Sequence, residues 1–291
     1  MRSRSGRILA ALLALAAAEG AAGCGSAPRP LPPVFTLQEE QAHAGAKAWA
    51  KGDLRTAIAS QERALLAARS VEDEEGIALR VLDLAALHRA AGDGTAARAA
   101  LDELLTEPPP LPYPGRLRAE AARLAGLLAL DAGDTAEGTR QAAFALELCR
   151  KASCPGRGAI VNLQGRAAFL SGDAEGAIRL ARQALPLNRE AGDKEEQANS
   201  SRIIADAELS RGRHDAAGRA YASALAIDKK LGLSSKILAD LVGLGDVARG
   251  AGRPGEARGY YERARATARA AKDTAGEAEA DARISGLAPP R

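Results

Sequence analysis

Along Gly165–Leu185, GRAAFLSGDAEGAIRLARQAL, bulky apolar residues and small residues recur at helical spacing around one polar break. Leu170, Ile178 and Leu185 supply the bulk. Gly165, Ala177 and Ala184 are small, and Ala177 and Ala184 stand seven residues apart, on one face of a helix. Gly172-Asp173 interrupts the run. The pattern predicts a helix, a tight turn and a second helix, with the small residues where two helices cross closely. No alternating Val/Ile/Thr run bounded by hairpin turns occurs in the chain, so strands are not expected.

The same pattern recurs. Turn glycines fall at Gly52, Gly92, Gly133, Gly172, Gly212 and Gly252, with gaps of 40, 41, 39, 40 and 40 residues. Seven residues before them stand Gly45, Ala85, Gly126, Gly165, Ala205 and Gly245. Five residues after come Ala57, Ala97, Gly138, Ala177, Ala217 and Ala257, and twelve after come Ala64, Leu104, Ala145, Ala184, Ala224 and Ala264. Leu65, Leu105, Leu146, Leu185 and Leu225 follow, and Arg265 breaks that column. In an Ala-rich chain one match means little; six in phase across three columns make a repeat.

This order of small and large positions resembles the tetratricopeptide repeat, over about Thr36 to Ser285. The resemblance implies an all-α, right-handed α-α superhelix, with six units in residues 36–273 and a capping helix in 274–291. The usual period is about 34 residues; here the surplus lies between one unit's second helix and the next unit's first, which predicts longer second helices. Thr36-Leu37-Gln38-Glu39 has the form of a capping box and is expected to open the first helix. Trp49 in the first unit reads as a packing residue. Glu107–Gly115, EPPPLPYPG, must end a helix near Glu107 and is either a plain connection or a place where stacking loosens. Thr274–Ile284 matches the first helix of a seventh, uncompleted unit, with charges that supply the polar outer face a terminal repeat needs.

The N-terminus has another character. Arg2, Arg4 and Arg7 precede an apolar run, Ile8–Ala18, which is too short for a stable transmembrane helix and suits a signal-peptide core. Ala21-Ala22-Gly23-Cys24 follows. Residues 1–23 resemble a bacterial lipoprotein signal peptide, and the resemblance implies cleavage before Cys24 and acylation of that residue. An ordinary secretory signal is the other reading. Residues 24–35 then form a Pro-rich tether that cannot be helical through Pro33. Export and membrane anchoring are therefore expected, on the periplasmic face of the outer membrane if the host has one.

Charge and chemistry narrow the function. The 291-residue chain carries a formal +3, which falls to +1 without residues 1–23 and their three Arg and one Glu. That balance argues against non-specific nucleic-acid binding. His43, His88 and His214 lie in different units, so no pair has metal-ligand spacing. No phosphate loop or nucleophile motif appears, and carboxylate runs such as Asp73-Glu74-Glu75 read as helix caps. No enzyme activity, metal or cofactor is expected. With Cys24 acylated, Cys149 and Cys154 remain, an even number in an exported protein. A disulfide between them would close a very small loop; free thiols are the alternative.

In stacked repeats of this kind the first helices line the concave face, where ligands usually bind. By phase, Arg89, Leu127, Leu209, Asp246 and Arg249 belong to that face, and the candidate partner-binding groove is Arg123, Asn162, Arg166, Phe169, Arg202 and Asp206. Arg grips carboxylates bidentately, and Asn bonds to a peptide backbone. The alternative is internal pairing of Arg202 or Arg166 with Asp206. The expected function is a lipid-anchored scaffold for protein–protein interaction in the cell envelope, serving assembly of a pilus, secretion or outer-membrane complex. A peptide- or signal-sensing regulator is the alternative.

Overall fold

The computed structural model describes residues 32–151 and 154–287. The expected signal peptide, Cys24 and most of the tether lie outside the described residues. The described chain is helical, without strands. The helices are α1 (Pro33–Trp49), α2 (Leu54–Arg69), α3 (Glu74–Ala90), α4 (Gly94–Leu105), α5 (Gly115–Asp131), α6 (Thr135–Lys151), α7 (Arg157–Leu170), α8 (Ala174–Glu190), α9 (Lys194–Ser210), α10 (His214–Leu231), α11 (Ser234–Gly250), α12 (Pro254–Ala271) and α13 (Thr274–Ser285). Odd-numbered helices are the first of each repeat, even-numbered helices the second.

One turn joins nearly all of them. Gly52, Gly92, Gly133, Gly172, Gly212 and Gly252 are left-handed, as are Glu72, Gly192, Gly232 and Lys272 between repeats. After each, the next residue donates its N–H to the carbonyl five residues back, from Asp53 to Ala48 through Asp273 to Ala268, at 2.8–3.1 Å. This is the Schellman closure, which satisfies carbonyls that a helix end would leave bare. From Gly172 to Lys272 the left-handed residue recurs every 20 residues. The period near 40 is thus two near-equal halves. In repeats four to six the second helices α8, α10 and α12 span 17, 18 and 18 residues, and the first helices α7, α9 and α11 span 14, 17 and 17.

Helix starts follow the residue after that turn. The carboxylates of Asp53, Asp73, Asp93, Asp134, Asp173, Asp193 and Asp273 accept a backbone N–H three residues on, at 2.7–3.1 Å. Arg213, Leu233 and Arg253 hold the same place before α10, α11 and α12 without a side-chain cap. The capping box at Thr36 is corrected, because α1 already begins at Pro33. Proline is tolerated in a first turn, where its missing N–H has no intrahelical partner.

The small columns are the buried seams. All eighteen of those positions, from Gly45 to Ala264, are buried. Leu170 is corrected: it is 46% exposed at the end of α7 and supplies no core bulk.

The described residues divide into two compact bodies, one of residues 32–128 with 148–151, the other of residues 129–147 with 154–287. In the first, Ile77, Val81 and Leu84 of α3 pack with Leu101 and Leu104 of α4 and with Tyr113, Leu117 and Leu124. Trp49 packs against Ala48, Ala57 and Leu87. The Pro-rich connection is tied down: the Tyr113 hydroxyl donates to Glu103 at 2.6 Å, and buried Arg118 donates to the Leu104 carbonyl at 2.8 Å. In the second body each helix from α7 to α13 packs on the next, and the first helices α7, α9 and α11 also touch in succession, forming an inner layer. Ala280 of α13 and Leu287 complete the last core, and Asp281 and Glu277 bind Arg265 and Arg269 of α12 at 3.0 and 2.9 Å.

Candidate functional site

The inner layer decides which predicted groove residues are available to a partner. Arg123 belongs to the first body and chelates Glu120 through two bonds of 2.8 and 2.6 Å. The other five lie on α7 and α9 of the second body. Arg166 donates to Asp131 at 3.0 Å, with both side chains more than a third exposed. Phe169 is half-buried against the cluster of Ala177, Ile178 and Ile203.

Asn162 is buried, which corrects its expected place on an open wall. Its Nδ2 donates to the Glu196 carbonyl at 2.9 Å and to the Glu196 carboxylate at 2.7 Å. The Ser200 hydroxyl donates to Asn162 Oδ1 at 2.8 Å, and Asn188 Nδ2 donates to Ser200 Oγ at 3.1 Å. Three helices, α7, α8 and α9, meet in this network of amides and a hydroxyl, with the half-buried Glu196 carboxylate at its edge, and its members satisfy one another as burial requires. A Cβ on Gly158 would stand 2.0 Å from Asn188 Oδ1, so α7 needs glycine there to admit the amide.

Arg202 is corrected in the same way. Its side chain is 14% exposed and pairs with Asp240 of α11 at 2.9 Å and with Asp228 of α10. Both carboxylates are fully buried. Desolvation pushes the Asp228 and Asp240 carboxyls above the ordinary carboxylate range, against the pull of Arg202. The Arg202 guanidinium loses by burial, but Asp240 and Asp228 outweigh that and hold it protonated.

Asp206 pairs with neither Arg166 nor Arg202; it accepts the hydroxyl of Tyr221. Burial raises its pKa, while that hydrogen bond and the two arginines lower it. Forty residues on, Tyr261 donates to Asp246 at 2.7 Å. Burial and Asp246 push the Tyr261 phenol up to about 12. The two rings fit because α11 has glycine beneath them: added Cβ atoms at Gly243 and Gly245 would stand 2.4 and 2.3 Å from Tyr221 and Tyr261.

Asn188, Ser200, Asp228, Asp240 and both tyrosines were not legible from residue type alone. The signal that finds them is the offset of 40 residues, which maps Asn188 onto Asp228, Ser200 onto Asp240 and Tyr221 onto Tyr261. Cys149 and Cys154 are disulfide-bonded cysteines. Among the described residues no group of three His, Cys, Asp or Glu side chains is placed to hold a metal, and no helix is long and apolar enough to cross a membrane.

Residues 196–270 match the sequence profile of the tetratricopeptide repeat family. This is a tetratricopeptide-repeat fold. The solved structures agree at the level of fold. The chain is similar to a signal transduction ATPase with a tetratricopeptide repeat sensor from Pyrococcus horikoshii, at 15% identity and a TM-score of 0.64, over 87% of this chain and 37% of that one. A Cut9–Hcn1 complex gives 13% and 0.63 over 87% and 45%. The chain thus spans less than half of either protein. Apo RapI gives 12% and 0.63 over 88% and 87%. A Rap protein complexed with Competence and Sporulation Factor gives 15% and 0.55 over 87% and 77%. No curated protein sequence matches the chain. A tetratricopeptide solenoid is a scaffold suited to protein–protein interaction.

Proposed function

We propose that this tetratricopeptide solenoid is a non-catalytic, lipid-anchored scaffold of the bacterial envelope that holds a protein partner along its inner layer. The observation that carries the partner reading is a strip in common phase on successive first helices. It comprises Arg166 and Phe169 of α7, Asp206 and Leu209 of α9, and Asp246 and Arg249 of α11, none of them fully buried. Asn162 and Arg202 form the floor beneath the strip and do not contact the partner. Such a surface suits an extended segment carrying a carboxylate, which competes with Asp131 for Arg166 or with Asp246 for Arg249. The anchor rests on the charged start, the short apolar run and Ala-Gly-Cys24. Assembly of a pilus, secretion or outer-membrane complex is the process such an anchored scaffold would serve.

The test is a pull-down from solubilised membranes with the wild-type chain and with Arg166→Glu. The Arg166–Asp131 pair is more than a third exposed on both sides, and such pairs contribute about 0–1 kcal/mol, so the melting temperature should hardly change. A charge-assisted bond lost to the partner is worth about 1.5–3 kcal/mol, or roughly tenfold or more in affinity. Unchanged affinity would remove the strip from the binding surface. Separately, fatty-acid labelling of wild type but not of Cys24→Ser is expected; equal labelling would remove the anchor. The second reading, a peptide sensor, is favoured by the likeness to the Rap protein complexed with Competence and Sporulation Factor. A short peptide recovered in place of a folded protein would select it.

A further inference from the structure

The Arg202 cluster holds more charge than stacking needs. From α9 come Arg202 and Asp206, and Glu195 and Glu196, which act on Lys236; from α10 come Asp228 and Tyr221; from α11 come Asp240 and Lys236. Asp228 and Asp240 are both fully buried and both pair with the one Arg202 guanidinium, so two carboxylates converge on a single arginine. Asp228 Oδ1 is buried without a hydrogen-bond partner, as a protonated carboxyl tolerates better than an ionised one. Lys236 stands beside the cluster, its pKa lowered by burial and by Arg202 and raised by Glu195, Glu196 and Asp228.

We infer that the joint between the fifth and sixth repeats is an acid-tightened joint, in which Asp228 and Asp240 share one proton beneath Arg202 and release of that proton to water loosens α10 from α11. Two like carboxylates at one buried site cannot both ionise without mutual repulsion. Burial raises Asp228 from 3.8 to about 6. The folded joint therefore keeps a proton that the unfolded chain gives up near pH 4. Stability from this group is full below about pH 4 and is lost as pH rises through about 6. The joint one repeat earlier is a built-in control, since Asn162, Asn188 and Ser200 fill the corresponding places and its one carboxylate, Glu196, is bound to Asn162 rather than paired with a second carboxylate. Asp83, also pushed up to about 6 by burial, acts in the other body, so a global melt would mix the two effects and the readout must be local.

The test is hydrogen–deuterium exchange of the full chain between pH 5 and 8, corrected for intrinsic rates. Protection in the peptides of α10 and α11 should fall with rising pH, by at most about tenfold per pH unit for one proton. Protection in α7 and α8 should stay flat. Asp228→Asn, which copies the protonated group, should abolish the dependence and keep the protected level. A flat profile at α10 and α11, the same slope at α7 and α8, or an unchanged slope in Asp228→Asn would overturn the inference. Should that variant fail to fold, carboxyl carbon NMR of the wild type with the aspartates assigned decides: Asp228 or Asp240 titrating near pH 6 supports the shared proton, and neither titrating above pH 5 refutes it, whatever Asp83 does.

Discussion

Asn162, Asn188 and Ser200 close the joint between the fourth and fifth repeats, and forty residues later Arg202, Asp228 and Asp240 close the next. The places on the helices are the same; the chemistry is not. The first set is neutral and each member has a partner. The second buries two carboxylates under one guanidinium. At the same places after the sixth repeat stand Val242, Ala268 and Ala280, all buried and apolar. One backbone geometry therefore accepts an amide network, an ion cluster or a dry core. The apolar contact beside each joint changes too. Ile203 of α9 packs on Ala181 of α8, whereas Gly243 of α11 lies under Tyr221 of α10, so large and small have changed sides. The lesson is that the repeat specifies where helices cross, and each joint chooses its own filling.

Breaking the ion cluster should give the largest effect. Arg202→Ala leaves two buried carboxylates without their counter-ion and should cost about 3–5 kcal/mol in denaturant unfolding at neutral pH. Asn162→Ala in the neutral joint should cost about 1–3 kcal/mol, the penalty of unsatisfied buried partners. Equal losses would show that the two joints are energetically alike. Gly243→Ala comes next: its Cβ would press into the Tyr221 ring, and overpacking of this kind costs about 1–3 kcal/mol. Gly165→Ala is the control, because its Cβ would meet nothing nearer than 3.5 Å. There the gain of Ala over Gly in a helix, about 0.5–1 kcal/mol, should appear as a higher melting temperature. The smallest effect concerns the caps. Asp193 caps α9, and the equivalent Leu233 leaves α11 uncapped. Asp193→Ala should cost about 1 kcal/mol, and Leu233→Asp should gain somewhat less, because Leu233 is half-buried. Thermal melts of both variants check the pair; no change in either would mean that the turn alone fixes these helix starts.

Much of the fold was legible in the sequence because helix crossings hold small residues, Leu104 being the one large side chain in the three columns. Gly45, Ala57 and Ala64 and their equivalents are buried without exception in the described repeats. The half-period of 20 was not read, because the left-handed place between repeats is Glu72 in one turn, Gly192 and Gly232 in others, and Lys272 at the end. A column so mixed hides unless glycine is read by what its backbone does. The candidate groove was legible only in part. Phase placed Arg166, Phe169 and Asp206 on the inner layer, but phase cannot tell an arginine that faces water from one folded under its neighbour. Arg202 turns inward because Asp228 and Asp240 lie on helices that sequence separates from it by 26 and 38 residues. Asn162 turns inward toward Ser200 for the same reason.

The comparison rests on the two joints being one geometry with two fillings, and a graft tests that most directly. Arg202→Asn, Asp228→Asn and Asp240→Ser, made together, write the fourth joint's residues into the fifth. Denaturant unfolding from pH 5 to pH 8 is the measurement. The triple variant should fold cooperatively, match or exceed the wild type at pH 8, and lose the part of the pH dependence that Asp228 carries. A triple variant no more stable than Arg202→Ala would contradict the account, because the neutral network would then need more of its own joint than these three places supply.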